Sequence, residues 1–226
     1  MRRPPENAKQ LLDRTLSTEY FQGRRPAIPY TWAPARASNP LVVVVGENGG
    51  GKSFVRRICH EICGYHKIEC MPISMEGRQS MMFASLIYGS EAYRSTGQNS
   101  IHTVRMGIKT SQGRANQHVI IWDEPDIGLS EGAAASVGKA IADFVEEVPD
   151  KLIASIVTTH RKSLVRELAR WKPHYLFVGG EGPASLQEWL EAAPVVRTLD
   201  EIEAACKTRF DAIQAILNKN KPRRRR

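Results

Sequence analysis

Hydrophobic residues fall into two alternating patterns along this chain. Short runs at Leu41–Val45, His118–Trp122, Leu152–Val157 and Tyr175–Val178 have the length and β-branched content of strands buried on both faces, and Lys67–Ile73 reads as a further strand. Between the runs, apolar residues recur three and four apart. Phe54, Val55, Ile58 and Ile62 mark one helix with Gly64 as its C-cap, and Ala134, Val137, Ile141, Phe144 and Val148 mark another behind a capping Ser130. Helices are also expected at Ala8–Leu16, Met81–Tyr88, Ile101–Ile108, Ser163–Trp171 and Ser185–Leu190. Strands alternating with helices predict an α/β fold, a mainly parallel sheet covered by helices on both faces.

The patterning sets the expected domain organisation. Residues 1–40 carry prolines at 4, 5, 26, 29, 34 and 40 and form a Pro-rich segment wrapping the core, with little regular structure beyond Ala8–Leu16. Its ring Tyr30 can pack or can stack on a base. Residues 41–195 form the main domain. A helix over 196–218 follows, opened by a Thr198–Glu201 capping box and striped by Leu199, Ile202, Cys206, Phe210, Ile213 and Leu217. That stripe can dock on the domain or serve a partner. Residues 219–226 form a basic, disordered tail.

Composition changes this picture little. A hydrophobic content of 42% in 226 residues is that of a soluble domain with one sizeable core. The apolar runs are far too short to span a bilayer and the N-terminus has no apolar signal core, so the expectation is a cytoplasmic protein without membrane insertion. The net charge of +8 is concentrated in the tail, where Lys219, Lys221 and Arg223 to Arg226 supply six charges and leave +2 for the remainder. The tail can hold DNA or RNA phosphates by counterion release, or it can be a solvated end. Four cysteines, Cys59, Cys63, Cys70 and Cys206, are too few for a disulfide framework and read as buried small hydrophobes, with a metal site at Cys59 and Cys63 the alternative.

The chemistry begins where the first strand ends. Gly46-Glu47-Asn48-Gly49-Gly50-Gly51-Lys52-Ser53 satisfies G-x-x-x-x-G-K-[ST] directly after Leu41–Val45. Gly46, Gly49, Gly50 and Gly51 let backbone N–H groups turn inward on an oxyanion. Lys52 neutralises the β- and γ-phosphates, Ser53 holds Mg2+, and the following helix presents its positive end. The motif predicts a nucleoside triphosphate ligand. Further along, Asp123 ends a buried strand and is placed to hold Mg2+ through water, and Glu124 beside it can polarise the attacking water. Two adjacent carboxylates on a strand tip call for a cation. His160 ends the next strand and, in a parallel sheet, emerges at the same edge, where it can donate to the γ-phosphate.

With these residues the chain resembles the ABC-type P-loop NTPases, in particular the soluble branch related to SMC and recombination-repair ATPases. The resemblance spans residues 41–162 and rests on the loop at 46–53 with Asn48 inside it, Ser95-Thr96-Gly97-Gln98, Asp123 to Ser130 and Thr158-Thr159-His160. It implies ATP and Mg2+ as ligands and a homodimer that forms head to tail on ATP binding. Ser95, Gly97 and Gln98 of one copy would complete the site of the other, and Gln79 would contact Mg2+. Only 43 positions separate Lys52 from Ser95, so the helical subdomain is expected to be shortened; Arg94 stands in place of a leading Leu, and Ser130 in place of an Asp. The resulting expectation is a slow soluble ATPase controlling a nucleic-acid transaction such as repair, mobile-element movement or defence. The alternatives are the nucleotide-binding subunit of a transporter and an ATP-dependent assembly switch for a separate effector protein.

Overall fold

The computed structural model describes residues 3–74 and 95–220. The expected helix Met81–Tyr88, Gln79, Arg94 and tail residues 221–226 lie outside the described residues. The elements run α1 (Ala8–Leu16), β1 (Tyr30–Ala33), β2 (Leu41–Val45), α2 (Lys52–Tyr65), β3 (Glu69–Ile73), α3 (Thr96–Gln112) and β4 (His118–Asp123). They continue with α4 (Glu131–Glu146), β5 (Leu152–Thr158), α5 (Lys162–Ala169), β6 (His174–Val178), α6 (Leu186–Glu191) and α7 (Leu199–Asn220).

Among the described residues six strands form one sheet in the order β1-β6-β2-β5-β4-β3, with β1 antiparallel to β6 and every other pairing parallel. Because successive side chains in a strand face opposite ways, each buried strand feeds two cores. Leu41, Val43 and Val45 join Ile120, Trp122 and the inner face of α4 on one side, while Val42 and Val44 join Val119, Ile121, α1 and α2 on the other. Trp122 anchors the first core. Its ring meets Phe144 edge-on at 6.2 Å, its Nε1 donates to Ser155 Oγ at 3.0 Å, and a Cβ on Gly107 would lie 2.7 Å from it.

The N-terminal segment adds one short strand, β1, which Pro29 and Pro34 bracket; an edge position tolerates proline because one side of the strand needs no ladder donors. Two expectations are corrected. Gly64 does not end α2: the helix runs on to Tyr65, and Lys67 takes the left-handed turn at φ 57°, which delays β3 to Glu69. Helix α3 starts earlier than expected, because Ser95 and Gln98 make a reciprocal capping box. Among the described residues no helix is long and apolar enough to cross a membrane.

Candidate functional site

The loop between β2 and α2 is shaped by its glycines. Gly51 sits at φ 106°, a conformation that L side chains rarely adopt, and a Cβ on Gly46 would fall 2.1 Å from the Val178 carbonyl oxygen of the neighbouring strand. Gly51 also N-caps α2 without a side chain, so the helix's first N–H groups receive no side-chain cap and face the loop. Lys52 is buried and folds back over the loop, donating to the carbonyl oxygens of Gly46 at 2.9 Å and Glu47 at 3.2 Å. Burial lowers its proton affinity, and the Glu124 and Asp123 carboxylates oppose that shift. The cleft is about 250 Å³ and is lined by Asn48 to Phe54, by Glu124 and by residues of α7. Ser53 is exposed.

The parallel sheet delivers the remaining groups to the same edge. Asp123 ends β4 opposite Thr158 of β5, which donates to Asp123 Oδ1 at 2.5 Å, and the other carboxylate oxygen is 3.0 Å from Arg56 Nε. Burial raises the Asp123 pKa; Thr158 and Arg56 hold it down in part. Glu124 follows at φ 50°, a costly left-handed conformation for a non-glycine residue, tied in place by its N–H donating to the Thr158 carbonyl at 2.9 Å. Its carboxylate lies 3.5 Å from His160 Nδ1, and that hydrogen bond pulls the Glu124 pKa below the usual carboxylate range against the effect of burial. Glu124 is therefore ionised at neutral pH and aimed by His160.

A second layer fixes this geometry. Asp126, buried at 3% exposure, accepts from Thr159 Oγ1 at 3.1 Å and from Arg161 Nε at 3.0 Å, while Arg161 also reaches Glu131 at 2.9 Å. The turn after Glu124 is thereby tied to the residues on either side of His160.

The structure therefore brings together Gly46, Asn48, Gly49, Gly50, Gly51, Lys52, Ser53, Asp123, Glu124 and His160. It places Ser95, Gly97 and Gln98 elsewhere. Ser95 and Gln98 cap α3, and Gly97 packs so closely against the 128–129 turn that a Cβ would lie 2.7 Å from the Gly128 carbonyl oxygen; none of the three lines the cleft of its own chain. Gln79 lies outside the described residues. Arg56 was not anticipated, although it stands four residues after Lys52 on one helix face, and neither was Arg209 of α7, whose position follows from tertiary packing alone.

Ser53 and Asp123 offer hard oxygen donors beside the loop, a set that suits Mg2+ arriving with phosphate oxygens. Among the described residues no group of three or more His, Cys, Asp or Glu side chains is placed to hold a metal by itself.

No protein-family model matches the chain, and no curated protein matches it in sequence. Among solved structures it is similar to a chain of the HORMA:CdnC:Trip13 complex from E. coli MS115-1, at 14% identity over 75% of this chain and 58% of that one, with a TM-score of 0.40. It is also similar to EssC (ATPases 2 and 3) from Geobacillus thermodenitrificans, at 11% identity over 87% of this chain and 40% of that one, with a TM-score of 0.37. The chain thus spans between two fifths and three fifths of the length of these neighbours. Fold and site together define a mixed α/β protein whose glycine-rich loop and acidic strand tip meet at one sheet edge.

Proposed function

We propose that this protein is an ATPase that binds Mg·ATP on the Gly46–Ser53 loop and hydrolyses it with Glu124 as the water-polarising base. The observation that supports it best is the convergence of three strand ends: Lys52 after β2 and Glu124 after β4 line one cleft, and His160 after β5 stands 3.5 Å from the Glu124 carboxylate. In this reading the loop amides and Lys52 hold the phosphates. Ser53 and Asp123 would hold Mg2+, which would supply positive charge to the phosphates. Glu124 takes a proton from a water whose oxygen attacks the γ-phosphorus as the bond to the bridging oxygen breaks and ADP leaves. His160 keeps Glu124 oriented and turns its other ring nitrogen to the phosphate.

Titration calorimetry with Mg·ATP tests the binding half. The wild type is expected to bind with a 1:1 stoichiometry and Lys52→Ala to show no heat; equal affinity in both proteins contradicts the assignment.

The resemblance to ABC-type ATPases carries a finer proposal, a head-to-tail homodimer in which Ser95 and Gly97 of one copy complete the other's site. The exposure of Ser95 at the start of α3, away from its own cleft, supports that use in trans. Light scattering of Glu124→Gln is expected to give twice the monomer mass with Mg·ATP and one mass without it. A nucleic-acid role through residues 219–226 belongs to the same proposal. Deleting them is expected to abolish DNA and RNA binding at low salt, and unchanged binding removes that role.

A further inference from the structure

Helix α7 buries none of its residues, and Leu199 and Phe210 are 84% and 61% exposed. Yet it has a defined seat. Cys206, Arg209, Phe210 and Ile213 line the same cleft as the phosphate loop. Cys206 lies so close to Gly49 that a Cβ there would be 2.1 Å from the sulfur. Arg209 donates from Nη1 to the Gly49 carbonyl and from Nη2 to the Gly179 carbonyl at 2.8 Å, bridging the loop to the end of β6. A helix of 22 residues is thus fastened in part through the loop that would receive phosphate.

The chemistry of Arg209 does not match a structural clip. Among the described residues its Nε is buried with no hydrogen-bond partner, and no carboxylate there forms an ion pair with it. Both of its acceptors are neutral carbonyls. Desolvation lowers its proton affinity, Cys206 opposes that shift, and Arg197 adds to it. The planar guanidinium has a fork of donors suited to phosphate, and it is held at the rim of a cleft lined by loop amides and Lys52.

Resting on the nucleotide-binding reading above, we propose that Arg209 is a phosphate ligand: α7 closes over the bound nucleotide and supplies this guanidinium to its phosphates. The binding site then extends from Gly46 to Arg209 within one chain. Bound nucleotide, by replacing a neutral carbonyl with an anion as the Arg209 partner, fastens a helix that is otherwise weakly held.

The experiment measures Mg·ATP affinity by calorimetry for the wild type, Arg209→Ala, Arg209→Lys and Lys52→Ala, and hydrogen exchange across residues 199–220 with and without Mg·ATP. Arg209→Ala is expected to weaken ATP about tenfold or more, the loss of one charge-assisted hydrogen bond, and Arg209→Lys to recover part of it as a point charge without the fork. ATP is expected to slow exchange in α7 of the wild type and not of Arg209→Ala. Thermal unfolding of Arg209→Ala is expected near that of the wild type, since α7 buries no residue. Unchanged or tighter ATP binding by Arg209→Ala overturns the proposal, as does faster α7 exchange on adding ATP, which would make the helix an obstruction that nucleotide expels. A wild type that binds no ATP, like Lys52→Ala, overturns the nucleotide reading itself and this inference with it.

Discussion

Replacing Arg56 by Met removes the positive charge that faces Asp123. The two side chains are 10% and 12% exposed and 3.0 Å apart, so solvent screens them little. At an effective dielectric constant of about 20 their attraction is about 5 kcal/mol, most of which offsets the cost of dehydrating both charges. Removing one partner leaves the other buried and uncompensated, which costs about 3–5 kcal/mol in comparable pairs. Asp123 keeps its hydrogen bond from Thr158, which places this site toward the lower figure. For a chain of this size that corresponds to a fall in Tm of about 6–12 °C.

The assay is urea unfolding of the wild type, Arg56→Met, Asp123→Asn and the double variant, closed as a double-mutant cycle. The pH dependence carries a sign. Asp123 has its pKa raised by burial, and loss of Arg56 raises it further. A carboxyl whose folded pKa lies above its unfolded value lowers stability as pH rises through the two values. The deficit of Arg56→Met is therefore full at neutral pH and shrinks as acid protonates Asp123. A coupling energy below about 0.5 kcal/mol, the ordinary limit of additivity, or a deficit that ignores pH, refutes the buried ion pair.

Two further outcomes follow from neighbouring contacts. In His160→Ala the acid limb of the ATPase pH profile moves to higher pH, because the hydrogen bond that most lowers the Glu124 pKa is gone; an unmoved limb removes His160 from its orienting role. Gly107→Ala drives a methyl toward the Trp122 ring, 2.7 Å from its nearest atom, and is expected to cost about 1–3 kcal/mol in urea unfolding; a neutral effect shows that Trp122 can yield.

Much of the site was readable from residue order because it rests on short-range rules. The β-branched run before the loop, the apolar run before Asp123 and the run before His160 each give a strand buried on both sides, and parallel strands release their tips at one edge. The capping box at Ser95 and Gln98 was equally local, and recognising it would have placed the start of α3. Arg56 was within reach as well, since a spacing of four from Lys52 sets both on one helix face. What could not be read was set by packing between distant segments. The short edge strand β1 exists only because β6 offers it a partner, and the Asp126, Thr159 and Arg161 contacts join residues more than thirty positions apart. The landing of α7 on the glycine-rich loop, 160 positions away along the chain, has no local signal at all.

The role of Glu124 is read from phosphate release from Mg·ATP by the wild type and by Glu124→Gln, each in parallel with an ATP-binding measurement. The wild type is expected to release phosphate measurably and only with Mg2+. Glu124→Gln is expected to release it about a hundredfold or more slowly, the usual contribution of a positioned base, with ATP affinity kept. Release by Glu124→Gln at the wild-type rate would contradict Glu124 as the base.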